Sequence, residues 1–346
     1  MNKLFLGLLV FVPITVIAQM SGISAGALFF LAAIAIIPLA KYIGEATEEL
    51  AGRTGPALGG FLNATFGNAT EIIIGLFALN AGLIEVVKAS ITGSIVGNLL
   101  LVLGMAVFFG GIKREKQTFS ATAAKAAGST LLLAVIALVI PAIFLITAPQ
   151  SGPVVETLSI FVAIIMIGAY LANLLFTLYT HSHLYQDVEK YDPKWSVPKS
   201  IIILLVSTLF VAWMSEILVG SIEPLVASWG WTELFIGVIL IAIIGNAAEH
   251  VSAITVAVKN RMDLALQISI GSAIQIAMFA APVLVLASLF FPVHMGLVFN
   301  TFELAAIIFS VFIVNAIAED GESNWFEGVQ LLAAYAIIAV AFFFHP

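Results

Sequence analysis

The chain contains no cysteine, and only 10% of its 346 residues are charged. The absence of cysteine excludes disulfide bonds and thiolate metal sites, and it leaves the redox compartment undetermined. A soluble domain carries about 25% charged residues, so the composition does not call for a large soluble domain. With 62% hydrophobic residues and a mean hydropathy of +1.15, the composition is that of a polytopic membrane protein.

Two classes of function find no support in the sequence. It has no nucleophile–base–orienter set and no phosphate-binding loop, so we expect neither an enzyme nor a cofactor. The 13 Lys and Arg residues form no basic cluster, so we expect no nucleic-acid partner. The loops between apolar segments are short, which favours a prokaryotic plasma membrane.

Eleven apolar segments are candidates for crossing a bilayer, which takes roughly 20 residues per helix. The first also resembles a signal peptide because Lys3 precedes its apolar run, so its cleavage stays open. The predicted helices span about 3–18, 24–43, 57–80, 85–109, 122–147, 153–178, 200–222, 232–257, 263–290, 296–317 and 325–344.

The basic residues predict an orientation. With eleven helices, all 13 basic residues except Lys88 fall on one side of the membrane. Lys and Arg favour the cytoplasmic side, so the N-terminus is expected to be cytoplasmic and the C-terminus external. A wrong number of helices would scatter these charges over both sides, so the sorting also supports the count.

The most informative pattern is an internal repeat. Gly-Asn-Ala-Thr-Glu at 67–71 recurs as Gly-Asn-Ala-Ala-Glu at 245–249, and Gly-Ser at 93–94 recurs at 271–272. The offset is 178 residues in both cases (245 − 67 and 271 − 93). The first copy lies on the third predicted helix and the second on the eighth. An odd number of helices separates them, so the copies cross the membrane in opposite directions.

The predicted fold class is therefore an all-α polytopic membrane protein with eleven transmembrane helices, one N-terminal helix plus two inverted-topology five-helix repeats. The predicted domains are an N-terminal transmembrane helix (1–22), a first five-helix half (23–180) with α-repeat 1 (64–98), a cytoplasmic linker loop (181–199), and a second five-helix half (200–346) with α-repeat 2 (242–276).

Each copy places an amide and a carboxylate inside an apolar segment. Asn68 and Glu71 are three residues apart, as are Asn246 and Glu249, and residues at this spacing share a helix face. A single such residue is most simply a helix–helix hydrogen-bonding group. The duplicated set favours a cation site. The partner helices add further oxygens, from Ser94, Asn98, Ser272 and Gln275.

The glycines and the histidine of the motifs have two readings each. Gly67 and Gly245 can loosen the helix and free backbone carbonyls for a cavity, or they can simply allow close packing. His250 follows Glu249 directly. Adjacent helical residues do not share a face, so His250 is either a packing residue or a titratable partner that takes a proton.

Carboxylate, amide, hydroxyl and carbonyl oxygens suit a hard divalent cation, since Ca²⁺ takes about six to eight oxygen ligands. Two neighbouring carboxylates in a medium of low dielectric constant favour protonation when no metal is bound. A site of this kind holds either Ca²⁺ or protons, and each excludes the other. Combined with alternating access, that exclusion describes an exchanger.

Other acids are secondary candidates. Glu216 lies within the seventh predicted helix, and Glu45 and Glu223 are related by the same offset of 178 residues (223 − 45). These acids are either mouths of a cation path or exposed charges near helix ends. We expect Glu48 and Glu49 to be solvated.

The motifs resemble the two α-repeats of the Ca²⁺/H⁺ exchanger (CAX) family of the Ca²⁺:cation antiporter superfamily. The resemblance rests on Gly-Asn-Ala-Thr-Glu at 67–71, Gly-Asn-Ala-Ala-Glu-His at 245–250, Gly-Ser-Ile-Val-Gly-Asn at 93–98 and Gly-Ser-Ala-Ile-Gln at 271–275. It implies export of cytosolic Ca²⁺ coupled to a proton gradient.

The resemblance also implies Glu71 and Glu249 as essential acids and His250 beside the ion. It implies that the ion is surrounded by Asn68, Asn246, Ser94, Ser272 and Gln275. Family members often carry an acidic helix between the halves. Here the linker loop is short and mixed in charge, so the regulatory role of such a helix is not expected.

Two alternatives stay open. A Na⁺/Ca²⁺ exchanger of the same superfamily would carry repeats richer in Ser, Thr and Asp, whereas Ala69, Ala247 and Ala248 occupy the motifs here. A passive cation channel usually builds its filter from several subunits, whereas an inverted repeat within one chain favours alternating access.

Overall fold

The structure, a computed structural model, describes residues 3–54, 56–150, 152–182 and 193–345. Residues 183–192 of the predicted linker loop lie outside the described residues. Helices α1 to α9 are Lys3–Leu8, Phe11–Met20, Ala25–Thr54, Pro56–Gly67, Ala69–Asn80, Ile84–Val96, Leu103–Gly111, Ala121–Thr147 and Gly152–Leu175. Helices α10 to α18 are Val197–Gly220, Ile222–Trp229, Glu233–Phe235, Ala242–Gly245, Ala247–Val258, Met262–Gln275, Ala281–Ser288, Thr301–Ile317 and Trp325–Phe344.

Short π-helical segments and two strands complete the described secondary structure. The strands are β1 (Gln117–Thr118) and β2 (Glu322–Ser323). A π segment closes α9, and three others join α6 to α7, α12 to α13 and α15 to α16. The four segments are Phe176–Thr180, Gly97–Val102, Ile236–Ile241 and Ile276–Ala280.

The chain is an all-helical integral membrane protein. Within the described ranges, seven helices are long and apolar enough to cross a bilayer, or nine if each of two bent helix pairs is one span. Two further apolar helices, Leu4–Met20 and Thr301–Ile317, are shorter. The predicted positions of the apolar segments match these elements, while the count of eleven spans stays a prediction.

Four of the predicted helices differ from the structure. Helix α3 continues to Thr54, eleven residues past its predicted end, because residues 44–54 are rich in helix-forming Glu, Ala and Leu. The segments predicted as continuous over 57–80 and 232–257 are each broken, with bends of 45° and 59°. Helix α17 begins at Thr301 rather than near 296 because Asn300 caps it.

The chain forms two compact units. The first contains residues 1–90, 190–248 and 345–346, and the second contains residues 91–189 and 249–344. Each unit therefore combines helices from both predicted halves. The first unit contains residues 67–71 of one motif and Gly245 of the other, and the second contains the Gly-Ser pairs at 93–94 and 271–272.

In the first unit, the long helix α3 is central. It packs against α2, α4 and α10, and α10 also packs against α5. The apolar side chains of Phe29, Ile36 and Leu218 are buried in this unit. The residue pattern of α3 explains this position, since small and apolar residues occur around most of its circumference and a helix of that kind is buried on several sides.

In the second unit, α18 packs against α7, α17 against α8 and α16 against α9. Leu99, Leu131 and Tyr170 are among its fully buried side chains. Helix α8 contains Pro141. Interior proline is tolerated in membrane helices because neighbouring groups satisfy the freed backbone carbonyl.

Three loops meet at one end of the second unit. Strand β1, after α7, pairs antiparallel with β2, after α17. The Gln117 amide donates to the Ala257 carbonyl at 3.1 Å and to Asn260 Oδ1 at 3.3 Å, in the turn between α14 and α15. The Ser120 backbone N–H donates to Asp263 Oδ1 at 2.7 Å. The loops after α7, α14 and α17 therefore lie together.

Candidate functional site

The first motif forms a helix break rather than a continuous helix. Asn68 has φ −104° and ψ 18° and separates α4 from α5. It is buried, with 2% of its surface exposed. Glu71 lies half-buried in the first turn of α5. A helix N-terminus attracts negative charge, so the break places this acid where the backbone favours the carboxylate.

The second motif repeats the same local geometry. Asn246 has φ −97° and ψ 13° and separates α13 from α14. Its side chain amide donates to the Ala242 carbonyl at 2.9 Å. Glu249 lies half-buried in the first turn of α14, and His250 beside it is buried. Each copy thus consists of a buried asparagine at a break and an acid in the turn that follows.

In the first unit, the two motifs touch. A Cβ atom at Gly245 would lie 3.2 Å from both Cγ and Oε1 of Glu71. The acid of the first copy therefore packs directly against the glycine of the second copy. Of the two roles that the sequence allows for Gly245, this contact supports close packing, because only glycine leaves the Glu71 carboxylate its full space. Gly67 ends α4.

In the second unit, the partner helices of the two repeats also meet. The Asn98 amide donates to Ser272 Oγ at 3.0 Å. Asn98 and Ser94 are buried, while Ser272 and Gln275 are half-buried. Asn98 lies in the π segment Gly97–Val102, and Gln275 is the last residue before the π segment Ile276–Ala280. Such π-helical turns inside α-helices occur frequently at functional sites.

The metal-ligand chemistry of the described residues is limited. Across the part of the chain that the structure describes, no three His, Asp or Glu side chains come together in a group that could hold a metal ion. Besides their two carboxylates, the motifs and their partner helices carry the amide and hydroxyl oxygens of Asn68, Asn246, Ser94, Asn98, Ser272 and Gln275. Such a donor set is that of a hard cation.

The secondary acids lie on other helices than the motifs. Glu45 is inside α3, not at its end, and pairs with Lys41 at 3.2 Å. Glu223 is exposed in the first turn of α11. Glu216 is exposed near the end of α10. A role of these three acids in a cation path stays a prediction.

The expectation that Glu49 is solvated was wrong. Only 3% of its surface is exposed, and its Oε2 accepts a hydrogen bond from the Trp195 backbone N–H at 2.8 Å. One turn later, the Arg53 guanidinium donates to the Trp195 carbonyl at 2.6 Å. The extension of α3 therefore holds the end of the linker loop. Glu48, as expected, is exposed.

Sequence reasoning also missed Glu303. This acid is fully buried in the second unit. Its Oε1 accepts a hydrogen bond from Thr92 Oγ1 at 3.1 Å, and its Oε2 accepts one from the Asn300 backbone N–H at 3.0 Å. Asn300 Oδ1 in turn accepts from the Glu303 N–H at 2.8 Å. This is a capping box, and the spacing of Asn300 and Glu303 was its visible signal.

Comparisons with known proteins agree with this architecture. The family described as "Sodium/calcium exchanger protein" matches residues 24–179 and 199–344. The chain is 48% identical to a "Ca(2+)/H(+) antiporter" of Synechocystis sp., covering 100% of this chain and 98% of that protein. It is 48% identical to the "Ca(2+)/H(+) antiporter ChaA" of Bacillus subtilis, covering 99% of both chains.

Among solved structures, that of native YfkE is similar with a TM-score of 0.87 and 45% identity, over 99% of this chain and 100% of that chain. The resemblance read from the two motifs is therefore confirmed at full length. The chain belongs to the sodium/calcium exchanger protein family, whose relatives described above are membrane antiporters and not enzymes.

Proposed function

We propose that this protein exports cytosolic Ca²⁺ in exchange for H⁺ by alternating access, and that Ca²⁺ and protons compete for Glu71 and Glu249. The observation that carries the proposal is the contact of Glu71 with Gly245 at 3.2 Å, measured to a Cβ built on that glycine. It joins the acid of one repeat to the motif of the other. Two relatives that are 48% identical over their full length, both named Ca(2+)/H(+) antiporters, support the choice of ions.

The donor set supports Ca²⁺ as the cation. Glu71 and Glu249 supply carboxylates, and the buried Asn68 and Asn246 supply amide oxygens at the two helix breaks. Ser94, Asn98, Ser272 and Gln275 add hydroxyl and amide oxygens. A flexible set of neutral and anionic oxygens suits Ca²⁺ better than a metal that prefers nitrogen or sulfur ligands.

The residues of the motifs also favour protons over Na⁺ as the counter-ion. Ala69, Ala247 and Ala248 occupy positions in the motifs, so the motifs offer few additional oxygens for separate Na⁺ sites. Half-buried acids can bind protons when the metal leaves, because a carboxylate removed from water is costly without a cation. His250 adds a second titratable group beside Glu249.

The number of membrane spans and the orientation of the chain are also part of the proposal. Loops that are hydrogen-bonded to each other lie on the same side of the membrane, so an even number of spans must separate them. Between β1 and β2, five spans meet the length criterion when the bent pair at 233–258 is counted as one. The pairing of the strands therefore supports one more crossing, which we assign to the apolar helix α17.

The length of α17 is compatible with that role. Its 17 residues extend about 26 Å at 1.5 Å per residue, close to the hydrocarbon thickness of about 30 Å. At the other end of the chain, Lys41 Nζ lies 5.1 Å from the centroid of the Phe5 ring. Helices α1 and α2 therefore lie beside the part of α3 between Ala25 and Lys41. This supports a membrane crossing by α1 and α2 together.

Adding these two helices to the nine gives eleven spans, with two inverted five-helix repeats after the first helix. The basic residues then support a cytoplasmic N-terminus and an external C-terminus. The similarity to proteins of Synechocystis and Bacillus subtilis supports a prokaryotic plasma membrane.

Reconstitution into liposomes tests the transport proposal. Ca²⁺ uptake is measured against an imposed pH gradient, an imposed Na⁺ gradient, or neither, with Glu71→Gln as the inactive control. We expect uptake driven by the pH gradient alone. Uptake driven only by Na⁺ would establish the sodium exchanger instead, and uptake without any counter-ion gradient that is equal to the driven rate would establish a channel.

Single-cysteine labelling tests the topology, because the chain has no cysteine of its own. Thr118 lies exposed in β1 and His345 lies just after α18. In intact cells, a membrane-impermeant maleimide should label a cysteine at 345 and not one at 118. External labelling at 118 would refute the eleven-helix arrangement.

A further inference from the structure

An acid outside both motifs is bonded to the helix that carries Ser94. Glu303 is fully buried in the first turn of the apolar helix α17, and its Oε1 accepts a hydrogen bond from Thr92 Oγ1 at 3.1 Å. Thr92 is also fully buried and lies on α6, two residues before Ser94. Because ionisable residues within the apolar helices of membrane proteins are rare and usually functional, this acid calls for a role of its own.

The Thr92 hydroxyl does not make the bond that is usual for a threonine inside a helix. Such a hydroxyl commonly bonds to the carbonyl four residues back, as the equally buried Thr15 and Thr47 do, both at 2.7 Å. Thr92 instead donates to a side chain 211 residues away along the chain. Its hydroxyl therefore joins two helices of the second unit.

The carboxylate that receives this bond is itself held in place. Glu303 Oε2 accepts from the Asn300 backbone N–H at 3.0 Å, and Asn300 Oδ1 accepts from the Glu303 N–H at 2.8 Å. Just before this cap, the Leu297 N–H donates to Oγ of the buried Ser159 on α9 at 3.0 Å. The chain that leads into α17 and the second carboxylate oxygen are both anchored, so Oε1 is presented to α6 at a fixed position.

The two faces of α6 have different partners. At about 100° per residue, Thr92 lies roughly 160° around the helix from Ser94, whereas Ser94 and Asn98 are four residues apart and share a face. On that second face, the Asn98 amide donates to Ser272 Oγ at 3.0 Å. The π segment Gly97–Val102, which carries Asn98, packs against both α15 and α17. This end of α6 is therefore held from two opposite sides.

We propose that Glu303 is a positioning residue for the cation site. By holding Thr92 at the back of α6, it fixes the rotation of that helix and hence the positions of the Ser94 and Asn98 oxygens. The inference rests on the proposed function, in which these oxygens bind Ca²⁺. Ca²⁺–oxygen distances span only about 2.3–2.6 Å, so a small rotation of α6 lowers the affinity for Ca²⁺ while the protein stays folded.

Removing the Thr92 hydroxyl tests the proposal. Thr92→Val keeps the shape of the side chain and leaves the cap of α17 intact, and Thr92→Ser restores the hydroxyl. Thr47→Val is the matched control, because it removes an equally buried hydroxyl whose bond stays within its own helix. For each variant we would measure the Ca²⁺ concentration for half-maximal uptake and the maximal rate in liposomes, and the Kd for Ca²⁺ by titration calorimetry of the purified protein.

The expected result is a change in affinity and not in rate. Thr92→Val should raise both the half-maximal concentration and the Kd about fivefold, the value of one hydrogen bond. Its maximal rate should stay within about twofold of the wild type, as should all values for Thr92→Ser and Thr47→Val. Thr92→Ala also lacks the hydroxyl and gives the same comparison if Thr92→Val does not fold.

Replacing the acid separates positioning from proton or cation binding by Glu303 itself. In Glu303→Gln, the amide oxygen can accept from the Asn300 N–H while the amide nitrogen donates to Thr92 Oγ1. Both links survive without a charge, so this variant should keep the half-maximal Ca²⁺ concentration within about twofold of the wild type. Its dependence of transport on pH should also be that of the wild type.

Three results would overturn the role of Glu303. The first is an unchanged Kd in Thr92→Val and Thr92→Ala. The second is a lower maximal rate at constant affinity in these variants, which would make the bond purely structural. The third is loss of exchange in Glu303→Gln, which would make the acid an ion-binding group. A wild-type protein that binds no Ca²⁺ in the calorimeter would instead refute the proposed function, and the role of Glu303 with it.

Discussion

Replacing Gly245 with alanine tests the contact that joins the two repeats. The new Cβ atom would lie 3.2 Å from Cγ and Oε1 of Glu71, whereas non-bonded carbon atoms pack best at about 3.5–4.0 Å. The carboxylate must therefore move by roughly 0.3–0.4 Å. Alanine also favours the helix over glycine by about 1 kcal/mol, so a loss of transport cannot be attributed to a weaker helix.

The displacement is large on the scale of metal coordination. Ca²⁺–oxygen distances span only about 2.3–2.6 Å, so a shift of this size equals the whole tolerated range. We expect the Ca²⁺ concentration for half-maximal transport to rise about five- to tenfold, which corresponds to about 1.0–1.4 kcal/mol. Gly245→Val adds two more carbons at the same place and should abolish transport.

The matched control lies on the partner helix of the same repeat. A Cβ atom at Gly271 would have no atom within 4 Å, so Gly271→Ala should leave the half-maximal concentration within about twofold of the wild type. Both variants are reconstituted at equal protein content, and Ca²⁺ uptake is followed over a range of Ca²⁺ concentrations under a fixed pH gradient. Equal values for Gly245→Ala and Gly271→Ala would refute the proposed role of the contact.

Three further predictions concern the acids, the protons and a helix cap. Glu71→Gln and Glu249→Gln should each abolish exchange in the liposome assay while the exposed Glu48→Gln stays near wild type, and robust transport by either motif variant would refute the assignment. Apparent Ca²⁺ affinity should fall as the pH falls, because protons compete for the same carboxylates, and titration calorimetry in buffers of different ionisation enthalpy should count protons released on Ca²⁺ binding. A count of zero from about pH 5.5 to 8, with Na⁺ displacing Ca²⁺, would instead support the sodium exchanger. Asn300→Ala should lower the free energy of unfolding by about 1 kcal/mol and Asn300→Ser by less, since serine keeps a capping oxygen; equal melting temperatures in detergent would contradict the capping role.

The same helix break in both motifs gives a physical basis for holding either Ca²⁺ or protons. At Asn68 and Asn246 the chain leaves helical geometry for one residue, and an acid follows in the first turn of the next helix. The helix N-terminus favours the anion, which is the form that binds a cation. We propose that a proton takes the place of the cation on the same carboxylate when the cation leaves.

The sequence alone was sufficient for the apolar segments, the repeat and the family. Apolar runs report helices in a bilayer directly, because no water is present to satisfy an exposed backbone. The duplicated motif and its offset of 178 residues made Glu71 and Glu249 the candidate site acids, since acids inside apolar segments are rare without a function. These features are local in sequence or depend only on spacing, so no knowledge of packing was needed.

Only the tertiary structure decided where side chains meet. It showed that Gly245 makes room for Glu71, that Asn98 bonds Ser272, and that Glu49 is buried against Trp195, 146 residues away along the chain. It also brought Thr92 to Glu303 across 211 residues. Contacts of this range depend on how helices pack, and packing is set by the fit of many side chains at once, which no local pattern of residues records.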